Sequence, residues 1–309
     1  MANQIHRPCI RMDTQLILGT AQLGMRYGIA NRDGKPSTSR AYDILRSAWQ
    51  EGISMLDTAP DYGESEEIIG RFGESHSGNP SIITKLPSVC SHVKGEDSLS
   101  VSQYVAKSLD GSLQRLKRDK VACYLIHDEQ DIPTFGEELF EALQVQKEKG
   151  KIDRVGASVY SPAIAETAID SGKVGVLEIP TNLFDHRFES VARKGEGAGV
   201  SVLARSVFLQ GLFFLSPKEA GAKVPGADVY IRKLQSYAQE ISRPIAELAL
   251  CFVRDNPYID GLVIGVDSVS QLKKNVELMT APGLLQKTRK EIRKTFSELP
   301  NSIVNPAKW

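Results

Sequence analysis

Dense runs of lysine and arginine are missing from this chain, and its charges cancel: 38 basic residues stand against 38 acidic ones. Nucleic acids are held largely through their phosphates, so a neutral chain without a basic tract offers them no surface. Long apolar runs are missing too. None reaches the roughly 18 residues needed to cross a bilayer. The leading stretch, MANQIHRPCIRMDTQ, lacks the apolar centre of a secretory signal. Cysteine is scarce: Cys9, Cys90, Cys123 and Cys251 are widely spaced, with no CxxC pair. Four cysteines are enough to form disulfides, but this spacing reads rather as buried free thiols in a reducing compartment. His6, His76, His92 and His186 form no set at metal-ligand spacing, so no metal site is expected. What remains is a soluble cytoplasmic protein with no nucleic-acid or membrane partner. Its oligomeric state is left open.

What is present is a regular alternation. Short β-branched runs appear at Leu16–Thr20, Ile53–Thr58, Ser81–Leu86, Val121–His127, Arg154–Val159, Val174–Pro180, Val200–Val207 and Gly261–Val266. Stretches of helical period lie between them. Ala41, Ile44, Leu45, Ala48 and Trp49 mark one buried helix face, and Gly52 follows as a left-handed stop. Further helices are expected over Val101–Leu116, Gly136–Lys149 and Pro244–Arg254, with the proline in a first turn.

Even spacing favours a closed (β/α)8 TIM barrel over an open doubly wound sheet. So does the segment after the first strand, GTAQLGM, which is not the GxGxxG that opens a dinucleotide-binding helix in such sheets. No linker divides the chain. A single domain over residues 1–309 is expected, with the barrel over about 15–280 and a helical extension over 281–309. That extension should carry a helix over Thr288–Leu299, its Lys287–Lys294 face solvated.

Active sites of such barrels form at the C-terminal ends of the strands. Asp57 ends the second strand, Lys85 the third and His127 the fourth; Tyr62 sits in the loop after the second. Reducing a carbonyl by hydride transfer builds negative charge on oxygen, which needs a proton and a hydrogen-bond donor. An ammonium beside Tyr62 should lower its phenol pKa, and Asp57 should hold that ammonium charged. His127 can donate to the oxygen. Taken singly, each has an ordinary reading: ion pair, packing tyrosine, structural histidine. Taken together, the chemical reading prevails.

The motifs LDTAPDYG (56–63), ITK (83–85) and LIH (125–127) resemble the catalytic tetrad region of the aldo-keto reductase superfamily. The resemblance runs over roughly residues 15 to 280. It implies Tyr62 as general acid/base, Asp57 and Lys85 as its modulators, and His127 as the group that orients the substrate. It also implies a nicotinamide cofactor. GASV (156–159) resembles the family's GxSN segment, with Ser158 retained and Val159 replacing asparagine. Glu178 stands where glutamine is usual, and a carboxylate can still accept from the carboxamide NH2. Asn182, Gly19 and Thr20 join the cofactor set at the same rim.

ARSVFLQG (204–211) resembles the loop that packs on the nicotinamide and holds the pyrophosphate, which singles out Arg205, Ser206, Leu209 and Gly211. The last cofactor motif is matched by Gly265, Ser268, Gln271 and Asn275. A helix starting near Val269 would point backbone N–H groups at the adenosine phosphates. Gln271 stands where many NADPH-preferring members carry arginine, and Asp267 adds a negative charge nearby. NADPH is expected, with NADH as the alternative.

The reading is therefore NAD(P)H-dependent reduction of a small aldehyde or ketone, or the reverse oxidation. Two rivals are a non-catalytic nicotinamide-binding regulatory module and a barrel enzyme using Lys85 as a Schiff base. Substrate and physiological direction are not legible, because loops such as Gly211–Tyr230 set them without a readable code.

Overall fold

In a computed structural model describing residues 14–75, 80–93 and 99–309, eight parallel strands close into a barrel in sequence order. They are β1 Gln15–Gly19, β2 Met55–Asp57, β3 Ser81–Leu86, β4 Val121–Ile126, β5 Ile152–Ser158, β6 Val176–Pro180, β7 Ser201–Arg205 and β8 Gly261–Gly265. The ring shuts where Gln15–Gly19 pairs residue for residue with Gly261–Gly265. The expectations on His6, Cys9 and His76 lie outside the described residues. Among those described, no helix is long and apolar enough to cross a membrane.

The barrel has two cores. Ile17, Ile83, Cys123, Leu125, Val176, Leu203 and Val263 fill its interior, while a larger apolar layer joins the strands to the helices around them. This division positions the site. Side chains alternate faces along a strand, so the residue two places after an interior residue also points inward, one layer higher. Ile83 leads to Lys85, Leu125 to His127, Val176 to Glu178, Leu203 to Arg205 and Ile17 to Gly19. The apolar plug and the polar rim are consecutive layers of one pattern.

The helices follow the periodicity, with local departures. Val101–Leu116 is a helix with those bounds, opened by a Ser100/Gln103 capping box. Gly52 has φ 81°, as a left-handed stop requires. Trp49 does not lie on the buried face; it is 44% exposed at the end of Thr38–Gln50. The helix expected from Gly136 begins at Asp131 and turns through Gly136 at φ 51°. Pro244 lies outside Ile245–Arg254 as its cap rather than in its first turn. The helix expected over Thr288–Leu299 runs instead over Gln286–Thr295. Phe296 then inserts beside Phe184, with ring centroids 5.0 Å apart, and fastens this extension near the loop after β6.

Candidate active site

Lys85, fully buried, donates from Nζ to Asp57 Oδ1 at 2.6 Å and to the Thr58 carbonyl at 3.0 Å. Its ammonium lies 4.9 Å from the centroid of the Tyr62 ring. Tyr62 is not on a strand, and its placement depends on close backbone packing. A Cβ on Gly24 would stand 1.8 Å from the Tyr62 carbonyl, and one on Gly63 would stand 2.5 Å from the Gly24 carbonyl. These two glycines let the loops after β1 and β2 touch backbone to backbone. Hydroxyls fasten the join: Thr58 donates to Ser65 Oγ at 3.0 Å, and Thr20 donates to the Asp57 carbonyl at 2.8 Å. The Thr20 hydroxyl is thus committed to the scaffold, although the residue borders the cleft.

His127 closes the group. Its ring stands edge-on to Tyr62, with centroids 5.9 Å apart and planes at 84°. Its Nδ1 lies 3.1 Å from Asp61 Oδ2. The four residues read from strand ends and loop are brought together at one rim.

Their electrostatics differ from expectation in one respect. Lys85 does pull the Tyr62 phenol down, but burial outweighs it, and Asp57 and Glu178 add to the rise. The free phenol therefore sits above its ordinary value of 10 and holds its proton at neutral pH. Lys85 itself is raised: burial opposes its charge, but Asp57 and Glu178 overcome that. The two carboxyls titrate as a pair. Burial, and then the charge of Glu178, push Asp57 up to about 8 against the pull of Lys85. Glu178 falls below its ordinary range, because Lys85, Arg205 and the Ser158 hydroxyl outweigh its burial.

A cleft of about 560 Å3 runs from Tyr62 and Asp57 past Gly19, Arg205 and Ser206 to Gly265, Gln271 and Asn275. At the Tyr62 end, Ser158 Oγ donates to Glu178 Oε1 at 2.8 Å. Arg205 Nε reaches Ser158 Oγ at 3.3 Å and Glu178 Oε1 at 3.4 Å. The guanidinium stacks 3.9 Å from the centroid of the Tyr160 ring. Glu178 Oε2 is buried and accepts from no N–H or hydroxyl among the described residues; its hydrogen-bonding neighbour is the Asp57 carboxyl. The loop after β7 is tightly wound: Ser206, Leu209 and Gln210 have φ of 59°, 47° and 52°, and Gly211 has 90°. Its tip meets the loop after β1, where Ile29 N–H donates to the Gln210 carbonyl at 3.0 Å and Gln210 Nε2 to Tyr27 Oη at 3.0 Å.

At the far end, Asp267 N–H donates to Gln271 Oε1 at 2.7 Å, and Asp267 Oδ1 accepts from Asn31 Nδ2 at 3.0 Å. Ser268 caps the helix Val269–Met279, accepting from Gln271 N–H, so that N–H is already taken. Ser268 and Leu209 do not border the cleft. Neither does Asn182, which is buried in a turn where its Oδ1 accepts from Phe184 N–H at 2.9 Å. The sequence reading missed Tyr27, Tyr160 and Asn31, all on loops, where no strand period points to a face. It also passed over Asp61, one residue before Tyr62, which only its contact with His127 distinguishes.

Against known proteins, the profile of the Aldo/keto reductase family matches residues 15–295. The L-galactose dehydrogenase of Arabidopsis thaliana is 25% identical, over 92% of this chain and 90% of that protein. The D-threo-aldose 1-dehydrogenase of a Pseudomonas species is 24% identical, over 84% and 90%. Among solved structures, the holo form of an aldo-keto reductase from Bacillus halodurans superposes with a TM-score of 0.75 at 22% identity, covering 96% of this chain and 95% of that one.

Proposed function

The chain belongs to the aldo/keto reductase family and is an oxidoreductase, and from that premise we propose that it interconverts a small carbonyl compound and its alcohol at Tyr62 with a nicotinamide dinucleotide. The observation that carries this is the buried Lys85 ammonium, 2.6 Å from Asp57 and 4.9 Å from the Tyr62 ring centroid, at one end of an elongated cleft. The cleft residues fit a dinucleotide. Glu178, a carboxylate lining the Tyr62 end of the cleft, suits the amide NH2 of a nicotinamide, and Ser158 beside it completes a polar end. Arg205 and Ser206 border the middle, and Gln271 and Asn275 the adenosine end. When bound there, the reduced cofactor supplies the hydride.

The residues of the chain supply the rest. Tyr62, kept protonated by its burial, gives its proton to the nascent alkoxide oxygen. Lys85 stabilises the phenolate left behind, and Asp57 holds that ammonium in place. His127, edge-on to Tyr62, orients the substrate oxygen. Lys85 is poorly suited to forming a Schiff base, which needs a neutral amine; here it is raised and bound to two oxygens. Cys90, Cys123 and Cys251 are free, in keeping with a reducing, cytoplasmic setting.

The test is a panel of aldehydes, ketones and sugars with NADPH and NADH, followed by loss of reduced-nicotinamide absorbance. The names of the relatives place aldose sugars first in that panel. Turnover of at least one member is expected. Failure to bind either dinucleotide would overturn the proposal.

A further inference from the structure

His127 is the one group at the rim whose hydrogen-bonding role depends on which ring nitrogen carries a proton. Its backbone N–H donates to the Leu86 carbonyl at 3.2 Å, which places the residue but leaves the ring free to turn. Asp61 fixes the ring, with Oδ2 3.1 Å from Nδ1. No other hydrogen bond to the ring is formed among the described residues. The pairing holds the Asp61 carboxyl below its ordinary range.

A carboxylate only accepts, so Nδ1 must donate to it. In the neutral ring the single proton is then on Nδ1, and Nε2 is a bare acceptor. A bare nitrogen cannot donate to a carbonyl oxygen; only the imidazolium donates at both ends. We infer that Asp61 is a positioning residue that fixes the His127 tautomer, so that His127 can donate to the substrate carbonyl only when its ring is charged. The inference rests on the proposed carbonyl chemistry for its kinetic consequence, but not for the tautomer.

The charged and titratable groups around the Asp61–His127 pair come from four elements. Asp61 and Tyr62 belong to the loop after β2, Lys85 to β3, His92 to the loop after β3 and Glu178 to β6. Asp61 alone touches a ring nitrogen. Its side chain is half-exposed, so removing it leaves water, not a buried vacancy, against Nδ1.

The experiment is long-range 1H–15N spectroscopy of the full chain labelled at histidine, with His127→Gln to assign the signal, combined with kcat/KM for carbonyl reduction against pH. In the wild type the neutral ring should carry its proton on Nδ1. Reduction should fall as pH rises, along a limb that His127→Gln lacks. In Asp61→Ala the neutral ring should move its proton to Nε2, and that limb should vanish. The rate at the acid end should be about tenfold lower, the worth of one hydrogen bond to a charged group. Asp61→Asn, whose carbonyl still accepts from Nδ1, should retain the wild-type tautomer and so test the inference even if the alanine variant fails to fold.

A wild-type neutral ring protonated on Nε2 would overturn the inference. So would an Asp61→Ala enzyme with unchanged tautomer and pH profile. Absence of turnover with every carbonyl would instead defeat the proposed function and leave the tautomer measurement standing.

Discussion

The two ends of the cleft are built on opposite principles. At the Tyr62 end, Asp57, Lys85 and Glu178 are buried on strands, where Lys85 stands 2.6 Å from Asp57 and Arg205 3.4 Å from Glu178 while the two carboxyls oppose each other's ionisation. At the far end, Asp267 and Gln271 lie on a loop and at a helix start, half-buried and exposed, and with the buried Asn31 they satisfy one another through hydrogen bonds between neutral groups and one carboxylate. Chemistry requires charges whose positions do not relax during reaction, which low-dielectric burial and strand placement provide. Recognition of a ribose needs only groups that can exchange partners. Substitutions at the first end should therefore alter rate and ionisation, and those at the second should alter which cofactor is preferred.

The largest effect should come from Tyr62→Phe. No hydrogen bond to the Tyr62 hydroxyl holds the fold among the described residues, so the protein should remain stable and bind dinucleotide with unchanged affinity. Carbonyl reduction should fall by roughly 10²- to 10⁴-fold, the usual worth of a positioned acid. Single-turnover rates alongside fluorescence titration would separate the two. Near-normal chemistry would deny the buried end its distinct character.

Next is Glu178→Gln. A carboxyl raised in the folded state keeps a proton that the unfolded chain has already released, so its contribution to stability is present at acid pH and lost as pH rises. Asp57, at about 8 folded against 3.8 ordinarily, should make the wild type lose stability between those values. Removing the Glu178 charge removes the second-largest cause of that rise. The decline should flatten by about 1.4 kcal/mol for each pKa unit recovered. Glu178 itself titrates below its ordinary 4.5, outside most of that window. Urea unfolding at a series of pH values would show the change. An unchanged slope would mean that the two carboxyls are not coupled.

At the opposite end, Gln271→Arg should act on selectivity alone. The new guanidinium would stand beside Asp267 and could meet a 2′-phosphate, shifting the NADPH-to-NADH affinity ratio by about tenfold towards NADPH, as one charged hydrogen bond allows. The turnover number with saturating cofactor should hardly move. A changed turnover number with an unchanged ratio would reverse the division of labour between the ends.

The same contrast governs what was legible in the sequence. Lys85 is legible as a strand end and Glu178 and Arg205 through the resemblance; that all three point inward follows from the strand period of two once the apolar plug fixes the inner face. Tyr62 lies off the strands; its motif marked it, but its seat depends on Gly24, thirty-eight positions away, whose lack of a side chain admits the loop. Direct contact between Arg205 and Glu178 was not readable from either residue. Burial also reverses an expectation: Lys85 does lie beside Tyr62, as the pattern implies, but the pattern carries no measure of the desolvation that outweighs it. Trp49 failed for a simpler reason. At a helix end the periodic face runs past the neighbour it should cover, leaving the ring in solvent.

Asn182 tests the boundary between the two ends, and there the effect should be smallest. Its place after β6, at the rim of the cleft, marks it in the sequence as a cofactor residue. Its Oδ1 instead accepts from the Phe184 and Asp185 N–H groups, at 2.9 and 3.2 Å, and so shapes the turn that carries Phe184 into contact with Phe213 and Phe296. The Phe296 contact fastens the C-terminal extension and the Phe213 contact braces the loop after β7, and neither Phe184 nor Phe213 borders the cleft. Asn182→Ala should cost on the order of 1 kcal/mol of stability, since the two N–H groups lose an acceptor while the buried, unpartnered Nδ2 is relieved. Dinucleotide affinity should stay within about twofold, well inside one such hydrogen bond. A tenfold loss of affinity without loss of stability would return Asn182 to the cofactor set. It would also extend the rigid, chemically committed end of the cleft by one turn beyond Glu178.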